Sequence, residues 1–327
     1  MNEISESSTE KTEDSTVKFE KWNFLPPELK REVMKKLNFN DIWNIRRTAS
    51  AEHALADTLK PKFSKVDVIT NRVHIYETDN PFKKSKSSFD LIYIIRRDLP
   101  HDSPFDIFKW ICHHASIENM EIMGDRVPHL LMNLLKETTR QFSVKNLKLN
   151  DVNGAEINFY LSKMDSKLET IRIGCSCRSF DKLIDIRAVV NARYIQIAES
   201  TSRSCAILLA QKWIDNDAKI DRVFETMVYK KGAFERFVEE FTSRIVYKTA
   251  KTVKIRTDNS KKHIKLELGK KSDHWKCRRK QNQEFIRLSV VRADQEDKPE
   301  DEREQPWMPE LEDLQFRRDL ITKSPFR

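Results

Sequence analysis

Cysteine and histidine are the side chains of this sequence that could bind a metal or supply a nucleophile and its base. The chain has five cysteines and eight histidines. Cys175 and Cys177 are one residue apart, but no second pair of cysteines or histidines follows at the spacing of zinc sites. Cys112, His113 and His114 are consecutive, and consecutive residues of a helix point in different directions. The sequence therefore predicts no metal site, and it predicts free, mostly buried thiols in a reducing compartment.

Motifs for nucleotide binding and catalysis are also missing. Loops that hold phosphates need several glycines within a few positions, whereas the five glycines of this chain lie at least 20 residues apart. No histidine belongs to an HExxH motif, and no serine belongs to a Gly-x-Ser-x-Gly motif. The sequence therefore predicts no catalytic residue and no cofactor, and we expect the protein not to be an enzyme.

Charge is unevenly distributed along the chain, which has a formal net charge of +9 at pH 7. Residues 261–280 contain nine basic and two acidic residues, whereas residues 294–304 contain seven acidic and two basic ones. The basic block surrounds Trp275, and cations mixed with an aromatic ring can hold phosphates and stack on bases. No zinc finger, helix-turn-helix or RNA-recognition motif frames it, and such blocks are more often a solvated face or a nuclear-import signal. Nucleic-acid binding is therefore kept only as an alternative.

The remaining polar segments lie at the two ends of the sequence. Residues 1–18 are acidic and show no hydrophobic periodicity, which is typical of a disordered leader and not of a secretory signal. Residues 293–327 are expected to form an acidic linker and a short helix. The longest apolar runs, at residues 91–95 and 205–210, fall far short of the roughly 20 residues of a membrane-spanning helix. We expect an intracellular protein, in the cytoplasm or nucleus, without a membrane contact.

Three short helical patterns lie between residues 22 and 62. Leu29, Val33 and Leu37 are four residues apart, as on one face of a helix. Asn40 or Asp41 is expected to cap the second helix, and Ser50 the third. About 40 residues do not close a good core alone. We therefore expect the apolar stripe to dock on the rest of the chain or on a partner.

This segment resembles the F-box motif. The resemblance rests on Leu25-Pro26, Glu28-Leu29, Val33, Leu37, Asp41-Ile42 and Ile45-Arg46. It implies docking on the Skp adaptor of a cullin–RING ubiquitin ligase. The residues that it implies for the adaptor-facing or module-core surface are Leu25, Pro26, Leu29, Val33, Leu37, Ile42 and Ile45. The alternative is a plain helical cap on the domain that follows.

A six-residue pattern, apolar-x-x-apolar-x-apolar, recurs along the middle of the chain. Its copies start at Phe89, Ile117, Val144, Leu168, Ala192, Val223 and Ala250. These starts are 24 to 31 residues apart, close to the period of leucine-rich repeats. Helical patterns lie between the copies, which indicates parallel strands joined by right-handed crossovers. Residues 64–78 are expected to close the first edge of this stack, and residues 285–291 to form a last strand.

The predicted fold class is therefore α/β, with a small three-helix F-box-like module followed by a leucine-rich-repeat-like strand–helix stack. The alternative is another α/β sheet, because any buried strand with one apolar face produces some six-residue patterns. The predicted domains are a leader at 1–18, a helical module at 22–62, a recognition domain at 63–292 and the acidic C-terminal region at 293–327.

The last third of the recognition domain resembles the extension of nematode F-box proteins, in which a variable, repeat-like region follows the F-box. The residues that carry this resemblance are Lys212-Trp213-Ile214-Asp215, Phe234, Phe237, Phe241, Arg244-Ile245-Val246 and Val253-Lys254-Ile255-Arg256. The predicted function is that of a substrate-recognition adaptor, which docks on the Skp adaptor and presents an unidentified protein target for ubiquitination. The alternative is a basic nucleic-acid-binding protein or a general interaction scaffold without a role in ubiquitin conjugation.

The residues expected to contact the target alternate with the apolar positions of the predicted strands, and they are expected to be exposed. They are Asn119, Glu121, Asn146, Lys148, Thr170, Arg172, Tyr194, Gln196, Thr252 and Lys254.

Overall fold

A computed structural model gives the fold for part of the chain. It describes residues 21–69, 72–77, 86–90, 104–123, 132, 135–136, 139–177, 180–200, 202, 204–228, 232–269 and 284–295. The predicted disordered leader, residues 270–280 of the basic block and the predicted C-terminal helix lie outside the described residues, as does nearly all of the acidic linker.

Four short helical elements begin the described chain. They are a 3-10 helix (Trp22–Phe24), α1 (Pro27–Met34), α2 (Phe39–Arg46) and α3 (Ser50–Ala56). Proline is tolerated in the first turn of α1 because its missing N–H would have no partner there. The cap of α2 is Asn38, whose Oδ1 accepts a hydrogen bond from the backbone amide of Asp41 at 2.9 Å. The predicted caps are wrong, since α2 begins before Asn40, and Ser50 is already the first residue of α3.

Strands and further helices make up the rest of the described chain. The strands are β1 (Lys62–Ile69), β2 (Arg72–Glu77), β3 (Lys86–Asp90), β4 (Ser116–Met123), β5 (Ser143–Asn150), β6 (Thr170–Cys177), β7 (Tyr194–Ser200), β8 (Val223–Val228), β9 (Ile245–Lys248), β10 (Thr252–Arg256), β11 (Lys262–Gly269) and β12 (Glu284–Arg292). The helices are α4 (Pro104–His114), α5 (Gly154–Lys163), α6 (Phe180–Leu183), α7 (Arg187–Asn191), α8 (Cys205–Asp215) and α9 (Ala233–Glu240), with a second 3-10 helix at Thr242–Arg244.

All twelve of these strands belong to one mixed sheet with the order β3-β2-β1-β4-β5-β6-β7-β8-β12-β11-β10-β9. The central strands β1, β4, β5, β6, β7 and β8 are parallel to one another and lie in chain order. Every pairing outside them is antiparallel. Right-handed crossovers between parallel strands in unbroken order place their connecting helices on the same side of the sheet.

The apolar side of the sheet and the N-terminal helices share one hydrophobic core, which extends from Met34 to Val290. The ring centroid of Phe39 on α2 lies 5.6 Å from that of Phe63 on β1 and 5.9 Å from that of Trp110 on α4. Trp43 contacts Trp110 edge-on, with 6.0 Å between the ring centroids. The N-terminal helices therefore bury their inner side against the sheet domain.

The predicted fold class is wrong. In place of a three-helix F-box-like module followed by a leucine-rich-repeat-like stack, the described strands form one mixed sheet that shares its core with the helices. The pattern that starts at Ala250 corresponds to the antiparallel strand β10, and Phe89 lies in the antiparallel strand β3, while the rest of its pattern lies outside the described residues. Strand β12 pairs between β8 and β11 instead of ending a stack. The apolar pattern marks a buried strand face, but it contains no information on the direction or the order of pairing.

Among the helices of the described residues, none has the length and the apolar composition that crossing a bilayer requires.

Candidate protein-binding surfaces

An apolar edge lies at the start of the helical module. Phe24, Leu29 and Val33 are 86%, 52% and 38% exposed, although all three are large and apolar. Leu29 and Val33 are one turn apart on α1, and Pro26 beside them is exposed while Leu25 is half-buried. We call these five residues the apolar edge. Their side chains form the part of the module that its own core leaves in solvent.

A buried carboxylate, that of Glu52, contacts the two helical elements that carry most of the apolar edge. Glu52 on α3 is 6% exposed, and it accepts hydrogen bonds from Lys30 Nζ at 2.9 Å and from Trp22 Nε1 at 3.3 Å. The hydrogen bond from Lys30 lowers the pKa of Glu52, against the raising effect of its burial. These contacts join the 3-10 helix and α1 to α3 and so fix the positions of the two elements relative to α3.

A second carboxylate joins the module to the sheet domain. Asp57 accepts hydrogen bonds from Arg46 Nε at 2.8 Å and from Trp110 Nε1 at 2.7 Å. Burial raises the pKa of Asp57, but the hydrogen bonds from Arg46 and Trp110 outweigh this, so the pKa lies below its usual value. The charged form of Asp57 is therefore part of the contact between the two regions.

The seven residues that the F-box resemblance implies do not form one surface. Leu25, Pro26, Leu29 and Val33 belong to the apolar edge. Leu37 and Ile45 are half-buried against the core, and Ile42 is 5% exposed. Phe24 is the apolar-edge residue that the sequence analysis missed; its signal was its position immediately before the leucine–proline pair.

The open side of the sheet carries polar residues in two neighbouring rows, which we call the polar face. One row passes from Asn119 through Asn146 and Thr170 to Tyr194 across paired strands. The row beside it contains Asp67, Glu121, Lys148, Arg172, Gln196, Glu225 and Arg287 in register from β1 to β12. The register thus places eight of the ten predicted target-binding residues side by side; their role in binding a target stays a prediction.

Ion pairs and hydrogen bonds link the charges of the polar face to one another. Glu121 lies 3.4 Å from Lys148 Nζ and accepts a hydrogen bond from Asn150 Nδ2 at 2.7 Å. Tyr194 donates its hydroxyl hydrogen to Glu225 at 2.6 Å, and burial together with this carboxylate raises the pKa of the tyrosine. Arg287 Nε lies 3.6 Å from the same glutamate. Most of the charge on this side is therefore neutralised by its neighbours.

Arg172 is the cation of the polar face with the weakest set of partners. Its guanidinium carbon lies 5.9 Å from the ring centre of Tyr194, and its Nε is buried without a hydrogen-bond acceptor among the described residues. Its neighbours in the row are Lys148 and Gln196. Arg172 is therefore the cation on this face best placed to accept an anion from another molecule.

The prediction that the ten target-binding residues are exposed holds only for Asn119, since six of the others are half-buried and three are buried. Glu121, Thr252 and Lys254 are 5%, 7% and 8% exposed. Thr252 and Lys254 also lie apart from the others, on the antiparallel strand β10, where Lys254 Nζ donates to the backbone carbonyl of Gln295 at 3.0 Å. Side chains on a sheet lie against their cross-strand neighbours, so an outward position does not by itself produce exposure.

The cysteine and histidine residues considered first do not form a common site in the described residues. Cys112 is buried on α4, and burial raises the pKa of its thiol well above the usual range. The rings of His113 and His114 lie 6.3 Å apart, and partial burial lowers the pKa of each. In the described part of the chain, no group of three His, Cys, Asp or Glu side chains could hold a metal ion.

Comparison with known proteins gives few matches. No family model and no curated protein matches the chain. A similar solved structure is the crystal structure of an S-adenosylmethionine-dependent methyltransferase from Clostridium acetobutylicum ATCC 824. It is 14% identical, covers 62% of this chain and 79% of its own, and has a TM-score of 0.14.

The structure that this comparison returns is that of an enzyme, so the prediction that the protein is not an enzyme finds no support in it. We therefore withdraw that prediction. At a TM-score of 0.14 the likeness carries no argument for methyl transfer or for any other reaction in this chain.

Proposed function

We propose that the protein is a substrate-recognition adaptor that docks on the Skp adaptor of a cullin–RING ubiquitin ligase through its apolar edge. The observation that carries this proposal is the exposure of Phe24, Leu29 and Val33 on a module whose other apolar residues are mostly buried. Exposed apolar residues grouped together are typical of a surface that binds another protein. The F-box resemblance of residues 22–62 supplies the identity of that partner, and it implies action inside the cell, in the cytoplasm or the nucleus.

The polar face supports the second half of the proposal, the presentation of an unidentified protein target. It extends over several strands, and Arg172 offers a cation to an incoming acidic group. The apolar edge lies on α1 and the residues before it, whereas the polar face lies on strands of the sheet. A target and the adaptor could therefore be held by one chain without sharing a contact residue.

The test is co-purification of the tagged full-length chain from cells, followed by quantification of the Skp adaptor and the cullin by mass spectrometry. Leu29→Asp places a charge in the apolar edge, where it would be desolvated on docking. The matched control is Val246→Asp, because Val246 is 48% exposed and lies on the edge strand β9 of the sheet.

We expect recovery of the adaptor with the wild type and with Val246→Asp, and its loss with Leu29→Asp. Equal recovery with both variants would show that the apolar edge is not the docking surface. Failure of the wild-type chain to recover any adaptor would rule out the ligase assignment itself.

A further inference from the structure

A basic cleft of about 860 Å3 lies at the edge of the sheet where five parallel strands begin. Ser116 and Ser143 are the first residues of β4 and β5, and the connections that lead into β6, β7 and β8 complete the wall. This volume is in the range of about 300–1,000 Å3 of pockets that hold small molecules. The cleft shares no residue with the apolar edge or with the polar face.

Hydrogen-bond donors dominate the lining of this cleft. It contains five cations against the single carboxylate of Glu169, and it also includes three serines and Asn191. The cations are Lys145, Lys167, Arg193, Lys219 and Arg222. Lys145 lies 4.0 Å from Glu169, which leaves the other four cations without a carboxylate in the cleft.

One of these four cations already has a hydrogen-bond partner within the chain. Arg222 is 8% exposed and donates to the backbone carbonyl of Val190, so it has a structural role. Lys167, Arg193 and Lys219 are exposed, and within the described part of the chain their side chains form neither an ion pair nor a hydrogen bond. No carboxylate of the described residues therefore compensates their positive charge.

The three remaining cations do not lie where a cation would stabilise the C-terminal end of a helix dipole. Helices α5, α7 and α8 end near this edge, and cations stabilise the last turn of a helix. However, the basic residues in those last turns are Lys163 on α5 and Lys212 on α8, while α7 has none. Lys167, Arg193 and Lys219 follow the helices in the connections, beyond the last turn, where the effect of the dipole has fallen off.

We propose that this cleft binds a small polyphosphorylated anion. The three remaining cations lie before β6, β7 and β8, so they extend over two strand spacings, about 10 Å. A ligand that meets several of them needs several negative groups, and phosphate oxygens accept the charge-assisted hydrogen bonds that lysine and arginine donate. None of the described residues in the lining is aromatic, so the site would hold the ligand by its phosphates and not by stacking on a base.

The experiment is isothermal titration of the full-length protein with inorganic tripolyphosphate at an ionic strength of about 0.15 M, where the Debye length is about 8 Å. The test variant combines Lys167→Gln, Arg193→Gln and Lys219→Gln. The matched control combines Lys36→Gln, Arg236→Gln and Lys248→Gln, which removes the same charge from exposed positions outside the cleft. Circular dichroism checks that both variants are folded, and the single variant Arg193→Gln replaces the triple one if the latter is not.

We expect the test variant to bind at least about tenfold more weakly, since the loss of one charge-assisted hydrogen bond has about this effect. The control should bind within about twofold of the wild type, because distant surface charges are screened by salt. Absence of tripolyphosphate binding, or equal weakening in both variants, overturns the proposal. A second titration uses a single-stranded oligonucleotide. If the oligonucleotide binds through the three residues and tripolyphosphate does not bind, the ligand is a nucleic-acid backbone and the proposal of a small anion is wrong.

Discussion

Leu29 on the apolar edge is 52% exposed, whereas Glu121 on the polar face is 5% exposed, although leucine is apolar and glutamate is charged. The difference follows from the partners that each side chain has within its own chain. Glu121 is paired with Lys148 and Asn150, while the large apolar residues of the edge extend into solvent. The apolar edge is thus a surface that lacks a partner, and the polar face is a surface whose charges are largely satisfied before any target arrives.

The comparison has a consequence for mutagenesis. Under the proposed function, a substitution at an exposed residue of the apolar edge such as Leu29 should change binding and leave the fold intact, because few internal contacts are removed. A substitution at a paired residue of the polar face such as Lys148 removes an internal ion pair, so any effect on the proposed target binding has to be separated from its effect on stability. The polar face also has little room for larger side chains: a Cβ on Gly174 would lie 2.0 Å from Asn150 Oδ1, next to the pair with Glu121.

The largest effect is expected within the helical module itself. Phe39→Ala removes a buried ring that packs on Phe63 and Trp110, and it should lower the free energy of unfolding by about 3–5 kcal/mol. Leu29→Ala, at the exposed edge of the same module, should change it by no more than about 0.5 kcal/mol. Urea denaturation of both variants measures the contrast. Similar losses would mean that the apolar edge is packed against the chain.

An intermediate effect is expected on the polar face. Lys148→Glu places a second carboxylate beside the buried Glu121 and should lower the free energy of unfolding by about 1–3 kcal/mol. The control is Lys145→Glu on the same strand, because the Lys145 side chain is 49% exposed and its contact with Glu169 is long, at 4.0 Å. Its cost should be about 0.5 kcal/mol. Equal costs in thermal unfolding would show that the ion pairs of the polar face do not stabilise the sheet.

The smallest effect is expected at the joint between the two regions, and it depends on pH. Asp57→Asn keeps an acceptor for Trp110 but loses the charge that Arg46 contacts, at a cost of about 1 kcal/mol at pH 7. Because the pKa of Asp57 is lowered in the folded state, its contribution is complete above the unfolded pKa of about 4 and is lost as the pH falls through the folded value. The difference between wild type and variant in denaturant midpoints should therefore narrow below about pH 4. A difference that stays constant from pH 7 to pH 3 would show that the charge of Asp57 is not involved.

Local features of the fold were predictable from the sequence because they depend on residues close together in the chain. The four-residue spacing of Leu29 and Val33 located α1, and the six-residue patterns located strands such as β5 and β6. Pairing was not predictable, since β12 lies between β8 and β11 through contacts between distant segments. The alternation of polar residues indicated which side chains share the polar face. It did not indicate that Glu121 is buried, because that burial comes from its cross-strand neighbours Lys148 and Asn150.

No pattern in the sequence predicted the cleft with Lys167, Arg193 and Lys219. Its residues come from connections that are separated by more than twenty positions, and they meet only because parallel strands start at the same edge of the sheet. By contrast, the apolar edge was partly predicted, since four of its five residues are among those that the F-box resemblance implies for the adaptor-facing or module-core surface.

The most direct test of the account is hydrogen–deuterium exchange of the full-length chain with and without saturating purified Skp adaptor. Helix α1 has eight residues and buries only Met34, so in the free chain its amides should exchange faster than those of the central strands. The account predicts slower exchange at residues 24–37 when the adaptor is bound, and unchanged exchange in β5, β6 and β7. Unchanged exchange at residues 24–37, or slowing confined to the sheet, would contradict it.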